Sequence, residues 1–233
     1  LRQGFAIGLA ASIGLGLVAM ALQQRLEEGA QASPRAPARL RALLRDFDPH
    51  LRRLLASDIL IRFCERIPHA WVVIYAMDHV GASATQVGLL TAVEMLVAMA
   101  CYIPVARYAD KYGREPFVLA TFVFFTLFPL SLLVAGSFPL LVAAFAIRGL
   151  KEFGEPPRKA LILSYAPAER RGSTVGAYYL VRDLVVSAGS MVGAAAWKYS
   201  PRANFWVAAA AGAAGTFLYA ATGKRSRSAG IPR

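Results

Sequence analysis

Asp58, Arg62, Glu65 and His69 recur at spacings of four, three and four residues, so a helix would carry all of them on one stripe. Arg66 stands beside that stripe. Arg148, Glu152 and Glu155 form a second stripe with Lys151 next to it, Glu94 is a lone acid, and Arg182-Asp183 is an adjacent pair. All of these groups interrupt apolar sequence. In hydrocarbon an ionised side chain costs on the order of a few kcal/mol unless it faces a cavity or an opposite charge. Six acids (Asp58, Glu65, Glu94, Glu152, Glu155, Asp183) nearly balance five bases (Arg62, Arg66, Arg148, Lys151, Arg182). That balance suits mutual pairing better than a funnel for ions of one sign. Two roles fit: ion pairs that orient helices, and a polar path for a solute or protons. Glu94 has no local partner and fits a proton carrier, because desolvation favours the neutral form of an acid. A cross-helix partner such as Arg148 is its alternative. Asp58, near the edge of its apolar stretch, fits a gate or an interfacial residue. His69 titrates near neutral pH when solvated, and hydrogen-bonded packing is its plainer role.

The elements that must position these groups are long apolar runs. The chain of 233 residues is 57% hydrophobic and 17% charged, outside the range of an ordinary soluble domain. Seven runs are long enough to cross a hydrocarbon core of roughly 30 Å as helix: about 3–22, 56–80, 85–106, 116–136, 138–164, 172–197 and 203–222. Pro156-Pro157 lies within the fifth and predicts a local helix break, either a hinge at a binding site or a packing kink. Gly189-x-x-x-Gly193 and Gly212-x-x-Gly215 predict close helix packing. Trp197, Tyr199 and Trp206 cluster at one predicted turn, as aromatics at a membrane interface do.

Residues 23–55 are the long polar segment. They begin with Gln23, Gln24, Glu27 and Glu28 and pass through Ser33-Pro34 and Ala36-Pro37. Leu40, Leu43, Leu44, Phe47 and Leu51 then recur at helical spacing with arginines on the other face. A short helix on the membrane surface and a solvated linker helix both fit. The two cysteines, Cys64 and Cys101, fall in predicted spans, which excludes a disulfide framework or a cysteine metal site. No HExxH, GxxxxGK[ST] or GxSxG motif occurs, so neither enzymatic activity nor a cofactor is expected.

The net charge of +12 is distributed by side. Seven Lys and Arg fall in 23–55, three around Asp110, four after residue 222, and Arg158, Lys159, Arg170 and Arg171 add four more. The other side holds Lys198, Arg202 and Arg2. The positive-inside rule then places the amino terminus outside and the carboxyl terminus inside. The basic charge is topological and available to anionic lipid, and nucleic acid is not an expected partner.

The loop Ala106-Arg107-Tyr108-Ala109-Asp110-Lys111-Tyr112-Gly113-Arg114 resembles the signature loop of major facilitator superfamily (MFS) transporters, Gly-x-x-x-Asp-Arg-x-Gly-Arg. Asp110, Lys111, Gly113 and Arg114 fall on the pattern, whereas Ala106 replaces its first glycine and Glu115 stands where a second base is usual. Arg148 to Gly154 resembles the family's Arg-x-x-x-Gly motif, and Pro167-Ala168-Glu169-Arg170-Arg171-Gly172 resembles the Pro-x-Glu-x-Arg-Gly loop that follows it.

The resemblance implies an all-α polytopic membrane protein like helices 6–12 of the twelve-helix MFS fold. Residues 1–22 would be the last helix of a missing amino-terminal half. Residues 23–55 would be a cytoplasmic linker, 56–222 a six-helix carboxyl-terminal domain and 223–233 a basic tail. It further implies secondary transport of a small solute by alternating access in a plasma (inner) membrane, with protons as the coupling ion. A non-transporting receptor or an uncoupled facilitator is the competing expectation. Asp110, Lys111, Gly113, Arg114, Arg170 and Arg171 would form a latch in which Asp110 caps a helix and pairs with Arg170 or Arg171. Arg62, Glu65, Arg66, His69, Glu94, Arg148, Glu152, Glu155, Arg182 and Asp183 would line the solute or proton pathway. The expected partners are lipid, the solute, protons and the missing half.

Overall fold

The structure is a computed structural model that describes residues 2–24 and 40–228. The acidic and proline-bearing part of the predicted linker, 25–39, and the last five residues of the tail lie outside the described residues. The chain divides into two units, Leu1–Ala38 and Arg39–Arg233. The first contains one uninterrupted helix, α1 (Arg2–Gln23), whose side chains from Gly8 to Leu22 are exposed within that unit.

The second unit begins with α2 (Leu40–Arg45) and α3 (Pro49–Arg66). Asp48 starts α3 by accepting a hydrogen bond from the His50 amide at 2.7 Å, with Pro49 in the first turn, where no amide is needed. The helix therefore begins seven residues before the predicted start of that span, because a capping acid is a stronger stop than a change in hydropathy. Leu43, Phe47 and Leu51 are buried together with Val118, Phe122, Ile162 and Tyr178. The amphipathic linker thus turns its apolar face onto the helix bundle. Arg52 ties it down by donating to the carbonyls of Phe47 and Arg45, each at 2.9 Å.

The predicted second span is not one helix. Helix α3 ends at Arg66, Ile67–Ala70 form a turn containing Pro68, and α4 (Trp71–Ile74) continues into a π-helical turn at Tyr75–His79. Proline lacks an amide and crowds the preceding turn, which breaks the ladder. The exposed end is satisfied from another helix: wholly buried Asn204 donates to the carbonyls of Ile67 at 3.4 Å and Gly193 at 2.8 Å. Gly193 sits so close to the Ile67 backbone that a Cβ there would overlap it.

Helix α5 (Ala84–Tyr112) opens with a capping box, Ser83 and Gln86 each bonding the other's amide, and ends at Gly113, whose φ of 93° suits glycine. Helix α6 is Glu115–Val134. Next come α7 (Phe138–Leu150), a 3-10 turn at Lys151–Gly154 and α8 (Glu155–Tyr165). The predicted break in this span is present, but it precedes Pro156-Pro157. The prolines occupy the first turn of α8, where their missing amides cost nothing. Helices α9 (Arg171–Ser187) and α10 (Gly189–Tyr199) form the next passage, and α11 (Pro201–Ser228) the last. Helix α11 lies against α3 and α6. Gly212 meets Thr126 and Cys64, and Gly215 meets Leu60 and Ser57, so the small-residue pair serves close packing.

Among the described residues every element is helical. Three helical passages are long and apolar enough to cross a membrane: Ala84–Tyr112, Glu115–Val134 and Ala168–Tyr199. The other predicted spans fall short for separate reasons. The second and fifth are broken into short helices and carry several charges, and the described part of the first is the shorter apolar helix Gly8–Leu22.

Candidate functional site

The stripe on α3 faces α8 and α9, and its charges pair across the gap. Asp58 is wholly buried. It accepts from Arg158 of α8, and from Tyr178 Oη at 3.0 Å and Arg182 Nη1 at 3.4 Å, both of α9. Arg158 reaches on to Glu155 Oε2 at 2.6 Å, and Glu155 also accepts from Arg62. Arg62 Nη1 holds Glu65 Oε2 at 2.7 Å, Glu65 accepts from Lys151, and Lys151 Nζ lies 3.1 Å from Glu152 Oε1. Read in order, Arg182, Asp58, Arg158, Glu155, Arg62, Glu65, Lys151 and Glu152 alternate in sign without a gap. This ladder crosses α9, α3, α8 and the 3-10 turn. Except for the adjacent Lys151 and Glu152, each rung joins different turns or helices, so the charges are tolerated at the cost of fixing how those helices sit.

A second pair stands apart. Arg148 Nε of α7 lies 3.1 Å from Glu94 Oε1 of α5, and its guanidinium packs over the rings of Phe128 and Phe145. Glu94 is therefore not a lone acid in the fold, and its cross-helix partner is Arg148. The close approach of α5 and α7 depends on Gly149, where a Cβ would lie 2.5 Å from the Glu94 carbonyl.

A cleft of about 790 Å³ opens between α3, α8 and α9. Of the ten residues predicted for the pathway, Arg62, Glu65, Arg66, His69, Glu155, Arg182 and Asp183 line it. Glu94, Arg148 and Glu152 do not. Arg148 instead borders a void of about 10 Å³ shared with Glu65, His69, Phe125 and Phe128. That space is at the lower limit for a single water molecule. Glu65 and His69 border both the cleft and this void.

Several site residues escape sequence reading. Arg158 and Lys159 belong by position to the basic inner loops, yet both line the cleft and Arg158 is only 2% exposed. Asp58 is wholly buried. It is the most enclosed acid of the ladder. The signal for Arg158 was its position three residues after Glu155, on the same face of one helix. Tyr178 and Tyr179 carried no such signal, being two tyrosines in an aromatic-rich chain. Tyr178 bonds Asp58, and Tyr179 lies under Arg182 with the guanidinium carbon 4.4 Å from the ring centre.

Comparison with known proteins then decides the family. The model of the Major Facilitator Superfamily matches residues 55–232. The chain belongs to the Major Facilitator Superfamily. It is an all-α polytopic membrane protein of a transporter family. No curated protein matches it. The match covers α3 onward except its first turns, and includes the ladder, the cleft and both loops that carry the MFS resemblance.

Those loops can now be located. Asp110 is exposed and pairs with Arg114 at 3.4 Å, one turn along the same loop, rather than with Arg170 or Arg171. Lys111 lies over the Tyr112 ring. Gly113 supplies the positive φ between α5 and α6. Arg170 instead joins Asp46 of the linker at 3.1 Å, and Arg171 opens α9. Glu115, the acid where the family pattern usually has a base, sits in the first turn of α6, where the helix dipole favours it. Tyr165 lies at the end of α8, and its phenol is pushed up to about 12 by burial and by the nearby Glu115 and Asp48.

Proposed function

We propose that this chain is the solute-translocating carboxyl-terminal half of an MFS transporter, and that the cleft between α3, α8 and α9 is its share of a central site. The observation that carries the reading is the cleft itself. It is an open volume of about 790 Å³ walled by charged side chains, within a bundle whose other faces are apolar. Ionised groups inside a membrane protein belong to a partner or a water-filled path, and here they have both.

In this reading a second six-helix half forms the opposite wall, and the two halves rock to expose the site alternately to each side. Uncovered apolar residues such as Met95 and Met99 of α5 and Leu180 and Leu184 of α9 are available to that half and to lipid. The ladder supports such a cycle because its pairs can exchange partners as helices shift, keeping charges compensated. Protons are the coupling ion, with Glu94 and Arg148 the pair that opens to take one up. The protein sits in the plasma membrane with the basic carboxyl terminus in the cytoplasm, as the positive-inside rule requires. The exposed Asp110–Arg114 loop is then cytoplasmic and acts as a latch in another conformation of the cycle.

The test is flux in proteoliposomes under an imposed pH gradient, with an internal fluorescent pH reporter and a panel of labelled small solutes. Gradient-dependent flux that Glu94→Gln uncouples is the expected result. Charge reversal of Asp110 should slow that flux while leaving the protein in the membrane. Absence of flux for every solute in both gradient directions would sink the transport reading.

A further inference from the structure

We propose that the cleft takes an organic anion, a carboxylate or phosphate monoester, and that Arg66 and Lys159 are the groups that meet its charge. The inference rests on the cleft being the binding site described above. It begins from which ions along the wall already have partners. Asp58 is held by Arg158 and Arg182, Glu155 by Arg62 and Arg158, Glu65 by Arg62 and Lys151, and Asp183 by Arg182 at 2.8 Å. Every acid at the cleft is therefore occupied by at least one base. Arg66 and Lys159 line the same cleft, are exposed to it, and form no ion pair or side-chain hydrogen bond among the described residues.

Exposed bases that line a cleft without a counter-ion are free to take one from a ligand, as a charge-assisted contact. A cationic solute would find no free acid on this wall and would have to break a rung of the ladder to gain one. A neutral solute would leave both bases uncompensated. Arg66 is also held for the task. Its stem packs against the backbone of α10, where a Cβ on Gly189 would come 3.1 Å from the Arg66 Cβ.

The experiment is a binding titration of the full chain in neutral detergent, read by thermal stability. Citrate, glycerol 3-phosphate and benzoate serve as anionic probes, choline and glucose as controls, all at constant ionic strength. At least one anion should raise the melting temperature with a saturable dependence, while choline and glucose should not. Arg66→Gln and Lys159→Gln should each weaken that response about tenfold, the loss of one charge-assisted contact. The two variants are independent, so the test survives if one fails to fold.

Stabilisation by choline or glucose alone, or by none of the probes, overturns the inference. So does an anion response unchanged in both variants, because the two bases would then serve another part of the protein. Nanodiscs of phosphatidylglycerol that stabilise the chain when no soluble anion does would assign the bases to a lipid headgroup and overturn it too. Saturable anion binding without flux would sustain this assignment and defeat the transport reading. Flux of a neutral solute that no anion inhibits would do the reverse.

Discussion

Replacing Asp58 by Asn removes the negative charge that buried Arg158 and half-buried Arg182 share, with Arg62 Nε 4.0 Å away. Asp58 is 0% and Arg158 2% exposed, so neither can turn to solvent without moving a helix. Arg158 retains Glu155, but that carboxylate already serves Arg62, and Arg182 retains only Asp183. Breaking a buried pair by deleting one partner costs about 3–5 kcal/mol. Asn keeps an oxygen that can accept from Tyr178 or Arg158, which returns about 1 kcal/mol. The net expectation is a loss of roughly 3 kcal/mol in unfolding free energy, at the lower end of the range for a broken buried pair. Unfolding by graded dodecyl sulfate in mixed micelles, followed by tryptophan fluorescence, measures it. Arg158→Gln supplies the second edge of a double-mutant cycle. Because the two sites share one interaction, the double variant should be less destabilised than the sum of the singles by about 2 kcal/mol. An Asp58→Asn cost below about 1 kcal/mol, or strict additivity in the cycle, would refute the claim that this pair fixes α3 against α8.

Gly193→Ala should lower stability by at least about 2 kcal/mol, because the added methyl meets the Ile67 backbone, whereas Gly88→Ala has open space and should be neutral or stabilising by up to about 1 kcal/mol. The same unfolding assay compares the two. Phe47→Ala should cost about 3–5 kcal/mol, as for any buried core phenylalanine, and should increase proteolysis of the linker. A surface-lying helix would give little change in either. Tyr165 binds its proton more tightly in the folded chain than the ordinary phenol value of 10.0. Its contribution to stability is therefore complete below about pH 10 and is lost as pH rises to about 12. Comparing wild type and Tyr165→Phe across that window should show a steeper alkaline fall for the wild type.

What the sequence discloses is governed by periodicity and cost. Asp58, Arg62 and Glu65 are legible as a stripe because helical spacing is the same in solution, in lipid and in a bundle, whereas His69 falls in the turn that follows α3. Arg148 could be named as a partner for Glu94 because few bases occur at mid-span. Arg158 was hidden by its neighbourhood: beside Lys159 and near Arg170 it reads as one more topological charge. Only the break at Lys151–Gly154, which re-aims α8, carries it to Asp58. The interruption at Ile67–Ala70 was hidden for a similar reason. Pro68 was visible, but the carbonyl of Ile67 beside it is met by Asn204, more than a hundred residues along the chain. The pairing of Asp110 with Arg114 rather than Arg170 is a question of conformation, and one sequence serves every conformation of the protein.

Helix α11 has a consequence for how the protein is made. Its buried face is Asn204, Phe205, Ala208 and Ala209, followed by Gly212 and Gly215 at the contacts with α6 and α3. Small side chains let the backbones touch, yet they give a nascent segment little reason to leave the translocation channel for lipid. Asn204, wholly buried in the finished fold, makes that step harder still. Commitment of α11 to the bilayer is therefore coupled to α3 and α6 being there to receive it. A helix that packs against both α3 and α6 thus depends on them for its entry, so integration of the chain is itself an assembly step.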